Sequence, residues 1–397
     1  MENFKTIDDL EVANKRILLR LDLNVPMKNG RITDATRIER SIKTIKELTD
    51  AGASVIIISH FGRPNGTVVP ELSLKPVVAE LAKALNCEVA FATDCIGAEA
   101  EKAAKEVTPG NVVMLENLRF HSKEEVNDIE FAGQLAELAN IFINDAFSCS
   151  HRAHASTEAI ARLLPSAAGR LMQAELSALS KALENPMRPV LAIVGGSKIS
   201  TKMNVLGHLV TLVDQLIICG GMANTFLKAQ GVDIGKSLCE IDMTSASLEI
   251  MGKAVAAGCE VVLPIDAVVA KEFVEGTSSE TVLLDSIHPD SMILDIGPAS
   301  TADLKARFAN CKTLLWNGPL GAFEIKPFDN ATNVLAHEVS RLTNEEKIIS
   351  IAGGGDTIAA LANAGVQNEF SYVSTAGGAF LEWLEGKELP GVAAIMS

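Results

Sequence analysis

Short, largely apolar runs rich in Val, Ile and Leu recur along the whole chain, each separated from the next by a longer stretch. Ten such runs stand out, at residues 17–21, 54–59, 112–115, 141–144, 191–194, 215–219, 260–264, 313–316, 348–351 and 372–374. Runs that are apolar throughout, rather than at alternate positions, suit strands covered on both faces, as in parallel sheets. Intervening stretches such as 37–50, 74–85, 131–138 and 357–364 place apolar residues at helical spacing. Strand and helix in alternation predict βαβ units, and so an α/β fold of doubly wound parallel sheets.

Length then sets the number of cores. A chain of 397 residues, 48% of them apolar, exceeds what one core ordinarily encloses, and two domains are expected. The boundary is expected near 165–188, where Pro165 precedes a helical pattern over 170–183 that Asn185, Pro186 and Pro189 end. A hinge helix at about 170–185 would then join a first domain, 1–170, to a second, 171–379. The stretch 384–397, with Gly386, Pro390 and Gly391, could pack on either. Apolar runs stop well short of the roughly 20 residues a membrane helix needs. The opening Met1-Glu2-Asn3-Phe4-Lys5 lacks a signal-peptide layout, so a cytoplasmic location is expected. Seven scattered cysteines without a Cys-x-x-Cys pair read as small buried hydrophobes, against a disulfide framework or structural zinc.

Charge narrows the partners. The net of −15 opposes nucleic acid, whose phosphates require a basic surface. Residues 1–170 carry a net of −4 and residues 171–397 a net of −11, and ten of the thirteen arginines lie in the first 170 residues. The planar fork of arginine matches carboxylate and phosphate oxygens, so that half is expected to hold a small anion.

In doubly wound sheets ligands bind outside the carboxyl ends of the strands, and there the sequence carries unusual residues. Run 191–194 leads into Gly195-Gly196-Ser197-Lys198, with Lys202 four residues on. On a glycine-opened helix start the two lysines would share one face and meet phosphate oxygens. Run 348–351 leads into Gly353, Gly354, Gly355 and Asp356, where Asp356 is either an N-cap or a Mg²⁺ ligand beside phosphates. Similar turns are Ser374-Thr375-Ala376-Gly377-Gly378 and Trp316-Asn317-Gly318-Pro319, the latter leading to Glu324. A Walker-like stretch at 231–237 is one residue short and is set aside, and no dinucleotide fingerprint follows a strand. In the arginine-rich half the strand ends read Arg20-Leu21-Asp22-Leu23-Asn24, Ser59-His60-Phe61-Gly62-Arg63, Glu116-Asn117-Leu118-Arg119 and Asp145, then His151-Arg152. Histidine and arginine at successive strand ends are explained by one anion at a shared edge.

Together these segments resemble the phosphoglycerate kinase family over essentially the whole chain. The matching stretches, in the family's order, are RLDLNVP, SHFGRP, ENLRF, NDAF with SHRAHAS, GGSKISTK, CGGMANTF, WNGPLGAFE, GGGDT and STAGGAFLEW. The resemblance implies that Asp22, Leu23, Asn24, Arg37, His60, Phe61, Gly62, Arg63, Arg119 and Arg152 hold 3-phosphoglycerate in the first domain. It implies that Lys202, Asn317, Glu324 and Gly353, Gly354, Gly355 and Asp356 hold Mg-ATP or Mg-ADP in the second, with Asp356 at the metal and Glu324 at the ribose. Arg37, Lys198, Lys202 and the Gly377–Gly378 helix start would stabilise the phosphoryl group in transfer. The resemblance further implies a monomer that acts by hinge closure, with a C-terminal tail, 380–397, returning to the first domain. The sequence departs from the family at Ala376 and Cys219, where glycine is common, and at Ser148-Cys149, usually Gly-Thr or Gly-Ala. Two other classes stay open at this point: an NAD-dependent dehydrogenase on a similar sheet, and a non-catalytic binding protein that closes on an anion.

Overall fold

The computed structural model describes residues 4–28 and 30–396. It divides into two compact units, one ending at Ser177 and resuming at Glu388, the other running from Ala178 to Lys387. In the first unit the strands are β1 (Arg16–Arg20), β2 (Met27–Lys28), β3 (Arg31–Ile32), β4 (Ser54–Ile58), β5 (Val89–Phe91), β6 (Val112–Met114), β7 (Ile141–Asn144) and β8 (Ser166–Ala168). Six of them form a parallel sheet in the order β5-β6-β4-β1-β7-β8, and β2 and β3 make a separate antiparallel pair. In the second unit β9 (Val190–Val194), β10 (Gln215–Ile218), β11 (Glu260–Val262), β15 (Thr313–Asn317), β16 (Ile349–Gly353) and β17 (Tyr372–Ser374) form a parallel sheet ordered β11-β10-β9-β15-β16-β17. An antiparallel sheet of β12 (Asp266–Ala270), β13 (Ser279–Leu283) and β14 (Met292–Ile296) is inserted between β11 and β15.

The fold is α/β with two doubly wound parallel sheets, and the ten apolar runs all become strands. Their continuous apolar pattern reflects burial on both faces: every residue of β4, β9 and β15 is buried. Helices pack on these faces through apolar stripes, as Ile38, Ile45 and Leu48 of the helix Thr36–Asp50 do in the core that contains Ile17, Leu19, Val55 and Ile57. Truncating such a side chain to alanine costs about 2–5 kcal/mol. Trp316 fills the equivalent core of the second unit, and its buried indole Nε1 donates to Gly318 O at 2.8 Å.

Strand order reverses between β1 and β7 in one sheet and between β9 and β15 in the other. Loops at these two places leave in opposite directions and open a crevice at the carboxyl edge.

The two units are joined by the helix Arg170–Leu179, which continues through one π-turn, Ser180–Glu184. Its first turn is fixed within the first unit. Asp145, just past β7, accepts from Met172 N at 2.9 Å, and Arg170 pairs with Asp8 at 2.7 Å and with Glu47. The expected tail boundary at 380 moves to 388. Residues Gly378–Leu384 form a helix packed on the helix Met203–Leu209, where His208 Nδ1 lies 2.9 Å from Leu384 O. Only the following helix, Pro390–Met396, lies on the first unit, with Gly391 N donating to Ser150 O at 2.9 Å.

The cysteines are all free, but they are not uniformly buried. Cys95, Cys219, Cys259 and Cys311 are, Cys149 and Cys239 are half-buried, and Cys87 is exposed.

Candidate active site

In the first unit, polar side chains gather where β1, β4 and β7 end. Arg20 closes β1 and is fully buried. Its guanidinium donates to Ser156 Oγ at 2.9 Å and to Leu21 O, and lies 3.2 Å from His60 Nδ1. Ser156 passes the contact on by donating to the buried Glu124 at 2.6 Å. Burial pushes the Glu124 carboxyl above its ordinary range. His60 follows β4, and burial, reinforced by Arg20, holds its pKa well below the ordinary histidine value, so the imidazole is neutral. Asp22, two residues beyond β1, pairs with Arg37 and accepts from Ser148 Oγ. Burial works against charge on Asp22, yet the Arg37 guanidinium and the hydrogen bonds from Ser148 and Asn24 N hold its carboxyl below the ordinary range.

Loops beneath these groups are stitched together by amides. Asn24 Oδ1 accepts from Gly62 N at 3.0 Å, and Asn117 bonds Phe61 N at 3.0 Å, Phe61 O at 2.7 Å and Leu72 O at 2.9 Å. Arg119 donates to Gly62 O at 2.9 Å, and its Nε lies 3.1 Å from Glu125 without the alignment of a hydrogen bond. Leu23 is buried and Phe61 nearly so, and these two serve the core. Arg63 and Arg152 are exposed, and among the described residues neither forms an ion pair. This edge thus presents two open guanidinium groups beside a rigid cluster containing Arg20, Arg37 and Arg119.

In the second unit the turns after β9, β15 and β16 close on one another. Lys202 is the hub: its Nζ donates to Gly195 O at 2.7 Å, Asn317 O at 3.0 Å and Asn317 Oδ1 at 2.7 Å. Burial lowers its pKa to about 8, partly offset by Asp356. Asn317 in turn donates to Gly353 O at 2.8 Å, and Thr357 Oγ1 links Gly353 O at 2.8 Å to Gly318 N at 2.7 Å. Two glycines are indispensable here. A Cβ on Gly195 would stand 1.9 Å from Pro319 O, and Gly354 has φ +99° at the cap of the helix Gly355–Asn363. Asp356 is exposed in the first turn of that helix, where backbone N–H groups lack helical partners.

Beside these turns opens a cavity of about 430 Å³, bounded by Gly221, Leu238, Met292, Asp295, Glu324 and Asp356 among others. It is a largely apolar slot between the parallel sheet and the inserted antiparallel one, with carboxylates at its rim. Ser197, Asn224, Asp266 and Asp295 interrupt the apolar lining; burial raises the pKa of Asp295 to about 8, so it is largely neutral.

One expectation about the lysines fails. Residues 195–202 are irregular and the helix starts only at Met203, so Lys198 and Lys202 do not share a helical face. Ile199, fully buried, turns the chain inward; Lys202 is drawn to three carbonyl and amide oxygens, and Lys198 is left exposed. The Walker-like stretch 231–237 follows a helix, Gly220–Ala229, rather than a strand, and Ser237 Oγ is bound to Ile293 N at 2.8 Å. Arg20 was noted at a strand end without a role of its own, and Ser156 and Glu124 were passed over. A charged residue inside the apolar run Ile17-Leu18-Leu19-Arg20-Leu21 was the available signal. The glycine turns flagged part of the cavity lining, Gly196, Glu324 and Asp356 among it, whereas Leu238 and Met292 carried no local signal because they come from segments far apart in the chain.

A family model described as phosphoglycerate kinase matches residues 7–387. The chain belongs to the phosphoglycerate kinase family. The phosphoglycerate kinase of Cereibacter sphaeroides is 57% identical over 393 residues, 99% of each chain. That of Ruegeria sp. is 56% identical over 394 residues, covering 99% of this chain and 100% of the other. The structure of phosphoglycerate kinase from Coxiella burnetii aligns with a TM-score of 0.93 at 44% identity, covering 99% of this chain and 98% of that one. The Pyrococcus horikoshii phosphoglycerate kinase aligns with a TM-score of 0.80 at 28% identity, covering 98% of both.

The departures from the phosphoglycerate kinase pattern fit without backbone strain. Ala376 is absent from the positive-φ residues, and Cys219 has extended φ −136° and ψ 178° before the helix Gly220–Ala229. Ser148 gains the hydrogen bond to Asp22, and Cys149 places its Sγ 3.8 Å from His60 Nδ1.

Proposed function

We propose that this chain catalyses reversible, direct phosphoryl transfer between the acyl phosphate of 1,3-bisphosphoglycerate and ADP, giving 3-phosphoglycerate and Mg-ATP. The observation that carries the reading is the pairing of chemistries on separate sheets. An arginine and histidine edge suits a small phosphorylated acid, and a lysine-centred set of glycine turns beside an apolar cavity suits a nucleotide.

In the ATP-consuming direction a carboxylate oxygen of 3-phosphoglycerate attacks the γ-phosphorus and the bond to the β-phosphate oxygen breaks. That carboxylate is ionised at neutral pH, so no general base is required. The work left to the protein is alignment and charge neutralisation. We assign Arg63, Arg119 and Arg152 to the phosphate end of the acid, with His60, Asp22 and Asn24 orienting it. Leu23, Phe61 and Gly62 shape the floor. Arg37, Lys202, Lys198 and the Gly377–Gly378 turn meet the transferring group. Adenine would enter the apolar cavity, Glu324 would take the ribose, and Gly353, Gly354 and Gly355 would let phosphates approach the helix start. Asn317 acts through Lys202 rather than by direct contact, since its side chain is already committed.

Mg²⁺ typically takes one or two carboxylates together with substrate phosphates, and the exposed Asp356 at the cavity rim fits that demand. Bound there with the nucleotide, the ion would supply charge neutralisation on the phosphate oxygens. Direct transfer requires both ligands to meet, so the reading includes closure about the connecting helix with exclusion of water. It also takes the chain to act as a cytoplasmic monomer on small molecules, without nucleic-acid or membrane partners. The net charge of −15 disfavours nucleic acid, and among the described residues no helix is long and apolar enough to cross a membrane.

The test is a coupled assay of purified protein with Mg-ATP and 3-phosphoglycerate. Turnover should exceed that of an Asp356→Ala, Lys202→Ala double variant by at least about 10²-fold. Equal rates would remove the assignment.

A further inference from the structure

Two strand-end loops of the first sheet are tied together by one hydroxyl. Ser148 lies in the turn Phe147–Cys149 after β7, and its Oγ donates to Asp22, two residues beyond β1. Asp22 Oδ2 thus receives both Ser148 and Arg37, while Oδ1 accepts from Asn24 N at 3.1 Å. A carboxylate turns easily about its terminal bond, because that torsion is broad rather than staggered. Asn24 N holds one oxygen, so the turning stops only where a second donor holds the other. Arg37 fixes it weakly, since it reaches Asp22 from the first turn of the helix Thr36–Asp50 on a long side chain that is 39% exposed. The serine hydroxyl, one bond beyond Cβ, has no such freedom. The turn that carries it is itself fixed: Ala146 N donates to Asn144 Oδ1 at 3.1 Å, Ser150 Oγ to Ala146 O at 3.2 Å and Ser150 N to Phe147 O at 2.9 Å. Gly391 N donates to Ser150 O at 2.9 Å, which adds the helix Pro390–Met396 to the same support.

We infer that Ser148 is a positioning residue, which sets the Asp22 carboxylate and through it aims the Arg37 guanidinium at the transferring phosphoryl group. The inference rests on the functional reading above, in which Arg37 meets that group. Dependence runs one way: the fixed turn holds Ser148, Ser148 holds the Asp22 carboxylate, and the carboxylate holds the mobile guanidinium. Ser148 enters no chemical step, and its hydroxyl proton stays on Oγ, directed at Asp22. A side chain without a hydroxyl at this position would leave Oδ2 to Arg37 alone, and the ion pair could swing as a unit about the Asn24 contact. Supporting groups of this kind act on rate by keeping a reacting constellation within a narrow geometric range.

The experiment compares the full-length wild type with Ser148→Ala, Ser148→Thr, Arg37→Ala and the Ser148→Ala, Arg37→Ala double variant, measuring kcat and both KM values by coupled assay. Ser148 is not among the residues with positive φ, so alanine fits the turn. Ser148→Ala should lower kcat about tenfold or more while KM for Mg-ATP stays unchanged. Ser148→Thr keeps the hydroxyl and should restore most of that rate. In the Arg37→Ala background, Ser148→Ala should cost nothing further, because the serine acts only through the arginine. An unchanged kcat in Ser148→Ala, or a loss that persists undiminished beside Arg37→Ala, overturns the inference. So does a loss in Ser148→Thr equal to that in Ser148→Ala. A wild type that does not turn over 3-phosphoglycerate removes the functional reading and this inference with it. Wild-type turnover with an unaffected Ser148→Ala removes this inference alone.

Discussion

Lys202 makes the second unit's turns sensitive to pH. Its ammonium is held by three oxygens, and burial brings its pKa to about 8 against an ordinary value near 10.5. A depressed lysine pKa means that the charge is present at pH 7 and is lost as pH rises through about 8. We therefore expect kcat/KM for the nucleotide to fall above pH 8, measured by coupled assay across pH 6–10. Lys202→Arg keeps its charge throughout this range, so the alkaline limb should disappear whatever rate remains. Arg37 carries a different expectation. Its guanidinium is matched to Asp22 yet half-exposed at the substrate edge, and its proposed role is felt chiefly in the transition state. Arg37→Ala should lower kcat about 10²–10³-fold, the scale for loss of one oriented donor to a transferring group. Steady-state kinetics with an unchanged kcat would remove that role.

At the scale of elements, the close approach of the turns after β9 and β15 sets a steric limit. Gly195→Ala drives a Cβ to 1.9 Å from Pro319 O, a backbone atom that cannot move without separating the two turns. An overpacked substitution of this kind costs about 1–3 kcal/mol. Gly355→Ala, with nothing within 4 Å of its Cβ, should leave stability nearly unchanged. Urea denaturation of the two variants side by side checks both. The same elements show what could be read from sequence. Strands such as β4 and β9 were legible because burial on both faces imposes a continuous apolar run. β5 and β8 were not: in β5 Ala90 is exposed and Phe91 only half-buried, and Ser166-Ala167-Ala168 carries no β-branched residue. β13 was invisible for another reason: it is mostly exposed, so Ser279-Glu280-Thr281-Val282-Leu283 shows no buried run. The site followed the same division. Strand-end residues such as His60 and Asp356 stood out by position, whereas the cavity between two sheets depends on tertiary packing that no local pattern records. The resemblance supplied the substrate names; residue chemistry alone reached only an anion and a nucleotide.

For the whole molecule, two separate cores predict two separable responses to ligand. Mg-ADP should stabilise the unit it occupies by mass action and leave the other to its own opening equilibrium. In hydrogen exchange, amides at 195–202 and 353–357 should slow on addition of Mg-ADP, while those at 20–25 and 59–63 should not. Addition of 3-phosphoglycerate should reverse the pattern. Protection of both sets by either ligand alone would contradict independent sites. The return of the helix Pro390–Met396 to the first unit has a further consequence during synthesis. It packs on the turns Phe147–Cys149 and Ala155–Ala159, immediately beneath the arginine edge. A ribosome makes that helix only after residues 178–387, so the first unit must wait, with one face uncovered, while the whole of the second is translated. Arrested chains ending near residue 380 should expose that face to proteases even when the second unit already binds nucleotide.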